Sequence, residues 1–258
     1  MTDARQRLER APVRGNAAAA SSGEPVVAIT LYGAARVPYT EKVRRALLYK
    51  GLDFEFQEPI TGDDYQRWSP KSGMLPVIHV GDEVIEDSTQ ILFALDSRYP
   101  NPPLLATDPT VASQQRQLED WADDAFLWYW MKYRRMIGGG ELALPLKGEA
   151  DPPREEEKRS GPLRRFRAWL QAGGTWERPI TGLQRELGAR MDDLVNFLGA
   201  RPFFYSDRLS IADLGVYAML FTMRRDSIPG SARLLAERPS LVAFMARVEE
   251  ATDGAARP

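Results

Sequence analysis

The pattern of apolar and polar positions divides the chain into two parts with different periodicities. Between residues 27 and 98, short apolar runs typical of strands alternate with segments of helical spacing. After a proline-rich segment the strand patterns stop, and from residue 109 onward the apolar positions recur at helical spacing. The pattern therefore predicts a mixed α/β unit over residues 27–105, followed by a helical unit over residues 109–252.

The first unit is predicted to contain a small mixed sheet with helices on its faces. Val27–Tyr32 is apolar and β-branched, which favours a buried strand, and residues 40–51 follow with helical spacing. Residues 53–60 alternate apolar and acidic positions, which is typical of a second strand. Residues 74–88 have the pattern of a β-hairpin, and Ser88 is expected to be the N-cap of the helix that follows.

The second unit contains one strong local signal for a helix start. Ser210 and Asp213 have the spacing of a capping box, and Leu209 and Leu214 stand where a hydrophobic staple would close. A core helix is therefore expected to begin at this point. Other helical patterns are the segments 109–137, 163–171, 183–199 and 240–250, with a loop predicted over 138–161.

Composition narrows the class of protein. The chain has 258 residues, of which 43% are hydrophobic and 27% charged, and its net charge is −2. A charge so close to balance gives no electrostatic case for a nucleic-acid partner, and no apolar run has the length of a membrane span. Residues 1–26 lack the apolar core of a secretory signal, so they are predicted to be a disordered leader on a cytoplasmic protein.

The scarcity of cysteine and histidine limits the catalytic and metal-binding chemistry that the chain can perform. The chain has no cysteine and one histidine, which excludes disulfides, zinc sites with Cys ligands and covalent catalysis by Cys. His79 lies in a strand pattern and is expected to fill ordinary space there, so it is assigned no function. No metal cofactor is predicted.

Four stretches in order resemble one family. Residues 31–51 are similar to the first strand, active-site turn and first helix of cytosolic glutathione transferases, nearest to the omega and tau classes. Residues 69–78 resemble the segment that ends in that family's cis-proline, and 84–92 its acidic-Ser motif. Residues 209–220 resemble its capped core helix. The resemblance implies a thioredoxin-like α/β amino-terminal domain followed by an all-α carboxy-terminal domain.

The same resemblance implies the partners of the chain. Glutathione would be the co-substrate and a small-molecule electrophile the second substrate, as in detoxification, and the protein would form a homodimer. Leu75, before a cis Pro76, would offer its backbone to the cysteinyl part of glutathione, because an extended ligand can pair with an exposed strand edge. Asp87 would bind the γ-glutamyl ammonium, and Ser88 with the free N–H groups of its helix the carboxylate. Lys71 is a candidate for the glycyl carboxylate.

An aromatic cluster in the first long helix is the candidate site for the apolar substrate. Trp121, Phe126 and Tyr129 are the residues chosen from it. A role in a dimer or domain contact fits the same aromatic side chains equally well.

The residue that should contact the sulfur is missing. In the omega and tau classes a Cys or Ser stands at the position of Val37, which places Val37 beside the glutathione sulfur with no donor. Thr40 and Tyr32 are the two candidate substitutes, in no order. The first interpretation is a transferase that conjugates glutathione to an apolar electrophile. A binding protein of the same fold without turnover, and an interaction or assembly module, are the alternatives.

Overall fold

The computed structural model describes residues 28–136 and 180–253. The predicted leader (1–26), loop (138–161) and helix (163–171) lie outside these residues. The described strands are β1 (Ile29–Tyr32), β2 (Glu55–Gln57), β3 (Val77–Val80) and β4 (Glu83–Glu86). The described helices are α1 (Pro38–Tyr49), α2 (Asp63–Trp68), α3 (Ser88–Arg98), α4 (Pro109–Met136), α5 (Ile180–Leu198), α6 (Ile211–Met223), α7 (Ser231–Ala236) and α8 (Pro239–Asp253).

The sheet is mixed and has the strand order β2-β1-β3-β4. Strand β1 pairs parallel to β2 and antiparallel to β3, with Tyr32 opposite Val77. Strands β3 and β4 form the predicted hairpin, in which Val77 pairs with Glu86. The order of elements confirms the small mixed sheet with helices. The parallel β1–β2 pair is possible because α1 makes the crossover between them.

The two faces of the sheet are covered by different helices. Helices α1 and α3 pack against each other, and their apolar positions join the core around Leu31 and Ile78. On the other face the Tyr32 ring lies 4.6 Å, centroid to centroid, from both the Trp68 ring and the His79 ring. The His79 Nε2 atom is 3.1 Å from the Trp68 carbonyl oxygen. His79 therefore packs within this layer, as expected for a histidine that fills space in a strand.

Helix α6 is the centre of the helical unit. All thirteen of its residues are buried, as expected for a helix that is apolar on every side. It packs on α4, α1 and α8, so it joins the two parts of the fold. The capping box at its start is confirmed: the Asp213 carboxylate accepts from the Ser210 N–H at 2.8 Å, from the Ser210 hydroxyl at 2.6 Å and from the Phe204 N–H at 2.8 Å.

Three details differ from the sequence prediction. Asp87, and not Ser88, is the N-cap of α3, because its carboxylate accepts from the N–H groups of Thr89 and Gln90 at 3.0 and 3.1 Å. Helix α7 was not predicted, and β2 is three residues long instead of the predicted 53–60. Among the described residues, no helix has both the length and the apolar character needed to cross a membrane.

Candidate active site

A cavity of about 710 Å³ lies between the α/β part and the helical part of the fold. Its walls come from five places: the β1–α1 turn with the start of α1, Tyr65 on α2, the segment before β3, the second half of α4, and the end of α6 with the residues that follow it. The lining residues that the chemistry depends on are Val37, Thr40, Leu75, Phe126, Trp130 and Arg225. Segments from both ends of the chain therefore meet at one cavity.

The start of α1 lines this cavity and carries N–H groups that have no partner among the described residues. Val37 is the N-cap, and its side chain cannot accept a hydrogen bond. Its own N–H donates to the Ala34 carbonyl at 3.0 Å. No partner within residues 28–136 and 180–253 is found for the N–H groups of Tyr39 and Thr40, which are the second and third residues of the helix. Unpaired N–H groups at a helix start favour an anion, because they add to the positive end of the helix dipole.

The Thr40 hydroxyl is a third unpaired donor at the same place. Thr40 is 1% exposed, lines the cavity, and its Oγ1 atom has no hydrogen-bond partner among the described residues. The side chain packs on Gly33, where an added Cβ would come within 2.5 Å of the Thr40 Oγ1 atom. Gly33 is therefore required for the present position of the hydroxyl.

The nearby tyrosines are placed differently from Thr40. Tyr32 packs on Trp68 and His79 and is not part of the cavity lining. Tyr39 does line the cavity, but its hydroxyl donates to the backbone carbonyl of Asp123 at 3.2 Å. Burial and the charge of Asp123 raise the pKa of Tyr39 far above its usual value. Of the two substitutes predicted for the missing sulfur contact, the structure brings only Thr40 to the cavity.

The segment before β3 supplies a backbone edge. The Leu75–Pro76 peptide bond is cis, as expected, and Leu75 lines the cavity. In the part of the chain that the structure describes, neither the N–H nor the carbonyl of Leu75 has a hydrogen-bond partner. The β3–β4 ladder ends at the Val77–Glu86 pair, and Leu75 and Ser88 each lie two residues beyond that pair. The cis-proline segment and the start of α3 are thus adjacent.

The start of α3 is only partly available for a ligand. The Asp87 carboxylate already accepts two of the N–H groups expected for the γ-glutamyl carboxylate, and the Asp87 backbone has φ 72°. Ser88 is buried at the first position of the helix. The Lys71 side chain is exposed, and its backbone N–H donates to the Glu86 carboxylate at 3.0 Å. Pro76, Asp87, Ser88 and Lys71 all lie outside the cavity lining itself.

The apolar wall of the cavity comes from α4. Phe126 lines it as predicted, together with Leu127 and Trp130. Trp121 packs against the core, and Tyr129 is buried beside the Trp128 ring with centroids 4.6 Å apart, so neither reaches the cavity. The i,i+4 spacing of Phe126 and Trp130 was the available signal for the correct helix face.

A buried ion-pair cluster holds the helices around the site together. The Lys42 ammonium on α1 donates to Glu119 Oε1 at 2.5 Å, to Asp123 Oδ2 at 2.6 Å and to Thr89 Oγ1 at 3.4 Å. The Thr89 hydroxyl also donates to Glu119 at 2.7 Å. The ends of α1 and α3 that face the site are thereby fixed to α4. A buried cluster of this kind is sensitive to the loss of any one member, since the others are left as unpaired charges.

Family models match both halves of the chain. The model described as "Glutathione S-transferase, N-terminal domain" matches residues 31–103, and the model described as "Glutathione S-transferase, C-terminal domain" matches residues 183–253. The chain is similar to glutathione S-transferase Z1 of Arabidopsis thaliana, with 40% identity over 95 residues. That match covers 34% of this chain and 42% of the relative, so it spans less than half of the relative's length.

Solved structures of similar fold cover nearly the whole chain. A Tau class glutathione S-transferase from mango, Mangifera indica, has a TM-score of 0.59 and 20% identity, covering 90% of this chain and 93% of its own. A glutathione S-transferase from Methylobacterium radiotolerans, solved in complex with glutathione sulfonate, has a TM-score of 0.55 and 23% identity, covering 88% and 94%. At these identities the likeness concerns the fold.

Proposed function

Because the chain belongs to the glutathione S-transferase superfamily, we propose that it binds glutathione in the cavity and transfers its sulfur to an apolar electrophile. The observation that carries the proposal is the buried Thr40 hydroxyl, which has no partner within residues 28–136 and 180–253, beside N–H groups at the start of α1 that likewise have none there. This arrangement suits a thiolate, because each donor is stronger toward a charged acceptor than toward a neutral one.

The proposed pose of glutathione follows the free donors and acceptors. The cysteinyl part pairs with the Leu75 backbone, whose N–H and carbonyl have no other partner within the described residues. The γ-glutamyl carboxylate lies at Ser88, two residues beyond the last pair of the β3–β4 ladder, and the ammonium lies near the exposed edge of Asp87. The glycyl carboxylate is assigned to Lys71, the cation nearest to Leu75 in the sequence. These assignments direct the cysteinyl sulfur toward the start of α1.

The chemical step needs a thiolate and a way to stabilise it. A free thiol has a pKa near 8.5, so positive potential and donated hydrogen bonds must lower it. One hydrogen bond to a charged group contributes about 1.5–3 kcal/mol, which corresponds to a pKa lower by roughly one to two units if only the thiolate feels it. Thr40 supplies this bond, and Val37 contributes only van der Waals contact. The released thiol proton passes to solvent before the sulfur attacks.

Calorimetric titration with glutathione tests the proposal. The wild-type protein is expected to bind glutathione, and Ser88→Ala to weaken binding by about 1–3 kcal/mol, since a bond to a carboxylate is lost. Ser97→Ala is the matched control, because Ser97 lies exposed on the same helix away from its start. Unchanged affinity in Ser88→Ala contradicts the proposed pose, and absence of binding in wild type contradicts the function.

Val37 favours a second candidate function, a glutathione-binding protein without turnover. An alkyl group at this position cannot donate to sulfur, so the thiolate depends on Thr40 and the start of α1 alone. Assay with a generic aromatic electrophile separates the two: slow but saturable conjugation supports the transferase, and binding without conjugation supports the binding protein. Homodimer formation belongs to the same proposal, and light scattering on the purified protein measures it.

A further inference from the structure

The cavity wall formed by the end of α6 carries its own hydrogen-bond donors. Arg225 and Ser227 follow the last residue of α6, and both line the cavity. The Arg225 guanidinium carbon lies 4.0 Å from the centre of the Phe221 ring, a cation–π contact at the end of α6. The glutathione pose described above makes no use of either side chain.

The Ser227 hydroxyl is a buried donor without a partner. Its Oγ atom is inaccessible to solvent and has no hydrogen-bond partner in the described part of the chain. The neighbouring lining residue Thr222 differs, because its hydroxyl donates to the Met219 carbonyl at 2.7 Å. Ser227 lines the cavity, so a rotation of its side chain brings this hydroxyl to a ligand oxygen, the kind of partner that it lacks among the described residues.

The charge of the lining has one sign. Arg36 and Arg225 are the charged side chains on the described lining, and no carboxylate is found there. Three acids close to the lining have donors of their own. Asp226 accepts from the Ala232 N–H at 3.1 Å, Glu58 accepts from the Ala35 N–H at 2.8 Å, and Glu41 pairs with Arg44 and Arg45. The cavity therefore combines an apolar wall with positive potential, which attracts an anion.

We propose that the second substrate is an apolar electrophile carrying a carboxylate or a similar anionic group. Arg225 and Ser227 bind the anionic group, Arg36 adds charge across the turn, and the ring lies against Phe126 and Trp130. This inference rests on the proposed function and names the class of its second substrate. With an aryl halide, the thiolate pair forms the C–S bond, the C–Cl pair leaves as chloride, and the thiol proton has already gone to solvent.

Binding without glutathione tests the anion site on its own. The probes are a nitrobenzoate that lacks a leaving group and its methyl ester, which differ in charge and little in shape, titrated by calorimetry. We expect the acid to bind more tightly than the ester. Arg225→Gln and Ser227→Ala should each weaken acid binding by about two- to fivefold, because the arginine is exposed and exposed charge pairs are weak. Ester binding should not change.

Two controls make the binding result specific. Arg233→Gln removes one charge from α7, where Arg233 is exposed and pairs loosely with Glu237 at 3.8 Å, so it should leave both affinities unchanged. Arg225→Lys keeps the charge and should retain most of the preference. Equal affinity for acid and ester, or a preference that survives in the Arg225→Gln/Ser227→Ala double variant, overturns the proposal.

Turnover with a chloronitrobenzoate and its methyl ester distinguishes this inference from the proposed function. The expected result is a higher kcat/KM for the acid, lost in Arg225→Gln. Conjugation of both compounds at equal efficiency supports the transferase function and overturns the proposed anion site. Selective binding of the acid without any conjugation overturns the transferase and supports the anion site.

Discussion

At the scale of single residues, the turn between β1 and α1 lacks a side-chain donor at Val37 and has one three residues later, at Thr40. Val37 occupies the N-cap without a capping hydrogen bond, so the N–H groups of Tyr39 and Thr40 are left for a ligand. Thr40 brings its hydroxyl to the same place from the third helical position, against Gly33. The donor therefore comes from within the helix and not from its cap.

Val37→Ser is expected to change both stability and chemistry. A serine N-cap can accept a hydrogen bond from the free N–H of the helix, which should raise the free energy of unfolding by about 0.5–2 kcal/mol. In the glutathione complex its hydroxyl should instead donate to sulfur and lower the pKa of the bound thiol by about one to two units. Chemical denaturation and the pH dependence of thiolate absorbance measure the two effects. A more stable protein with an unchanged thiol pKa would show that the sulfur lies elsewhere.

At the scale of elements, the start of α6 fixes the core of the helical unit. The Asp213 carboxylate accepts three hydrogen bonds there, from two donors on Ser210 and one on Phe204. Burial raises the pKa of Asp213 to about 7, while these three donors hold it down. Both α1 and α4 pack on this helix, so its position also sets the cavity between them.

Asp213→Ala should lower the free energy of unfolding by at least about 0.5–2 kcal/mol, the usual effect of losing a cap. A larger loss is expected if the Phe204 N–H is left buried without a partner. Urea denaturation measures the change, and Asp207→Ala, an exposed position in the loop before α6, is the control. An unfolding midpoint equal to wild type would contradict the structural role of the capping box.

At the scale of the whole molecule, the Lys42 cluster joins the α/β part to the helical part. One ammonium faces two carboxylates, Glu119 and Asp123. Burial, together with the charge of Glu119, raises the pKa of Asp123 to about 7, although Lys42 opposes the shift. The folded protein therefore holds a proton that the unfolded chain releases near pH 4.

The free energy of unfolding is expected to fall as pH rises from about 4 to 7, because the unfolded state binds fewer protons over that range. Asp123→Asn should reduce this slope, while the raised pKa of Asp213 preserves part of it. Denaturation at a series of pH values gives the slope for both proteins. A slope that is the same in Asp123→Asn and in wild type would contradict the assignment of the proton to Asp123.

Local sequence patterns predicted most of the fold. Most of the features that they did not predict depend on contacts between residues far apart in the sequence. Strand patterns, helical spacing and the Ser210–Asp213 pair are short-range signals, and they gave the correct type of element within the described residues, although β2 is shorter than predicted. The choice between Asp87 and Ser88 as N-cap depended on the Asp87 backbone at φ 72°, which the sequence does not specify. Arg225 and Ser227 reach the cavity only because the end of α6 packs beside the β1–α1 turn, and no local pattern predicts that pairing.

The most direct measurement is the thiol pKa of bound glutathione, followed by ultraviolet absorbance in wild type and in Thr40→Val. Valine has nearly the shape of threonine and lacks the hydroxyl, so only the proposed hydrogen bond is removed. Gly33→Ala is a second variant that displaces the same hydroxyl without changing Thr40. We predict a thiol pKa below about 8.5 in wild type, raised by about one to two units in Thr40→Val. The same depressed pKa in both proteins would contradict the claim that Thr40 stabilises the thiolate.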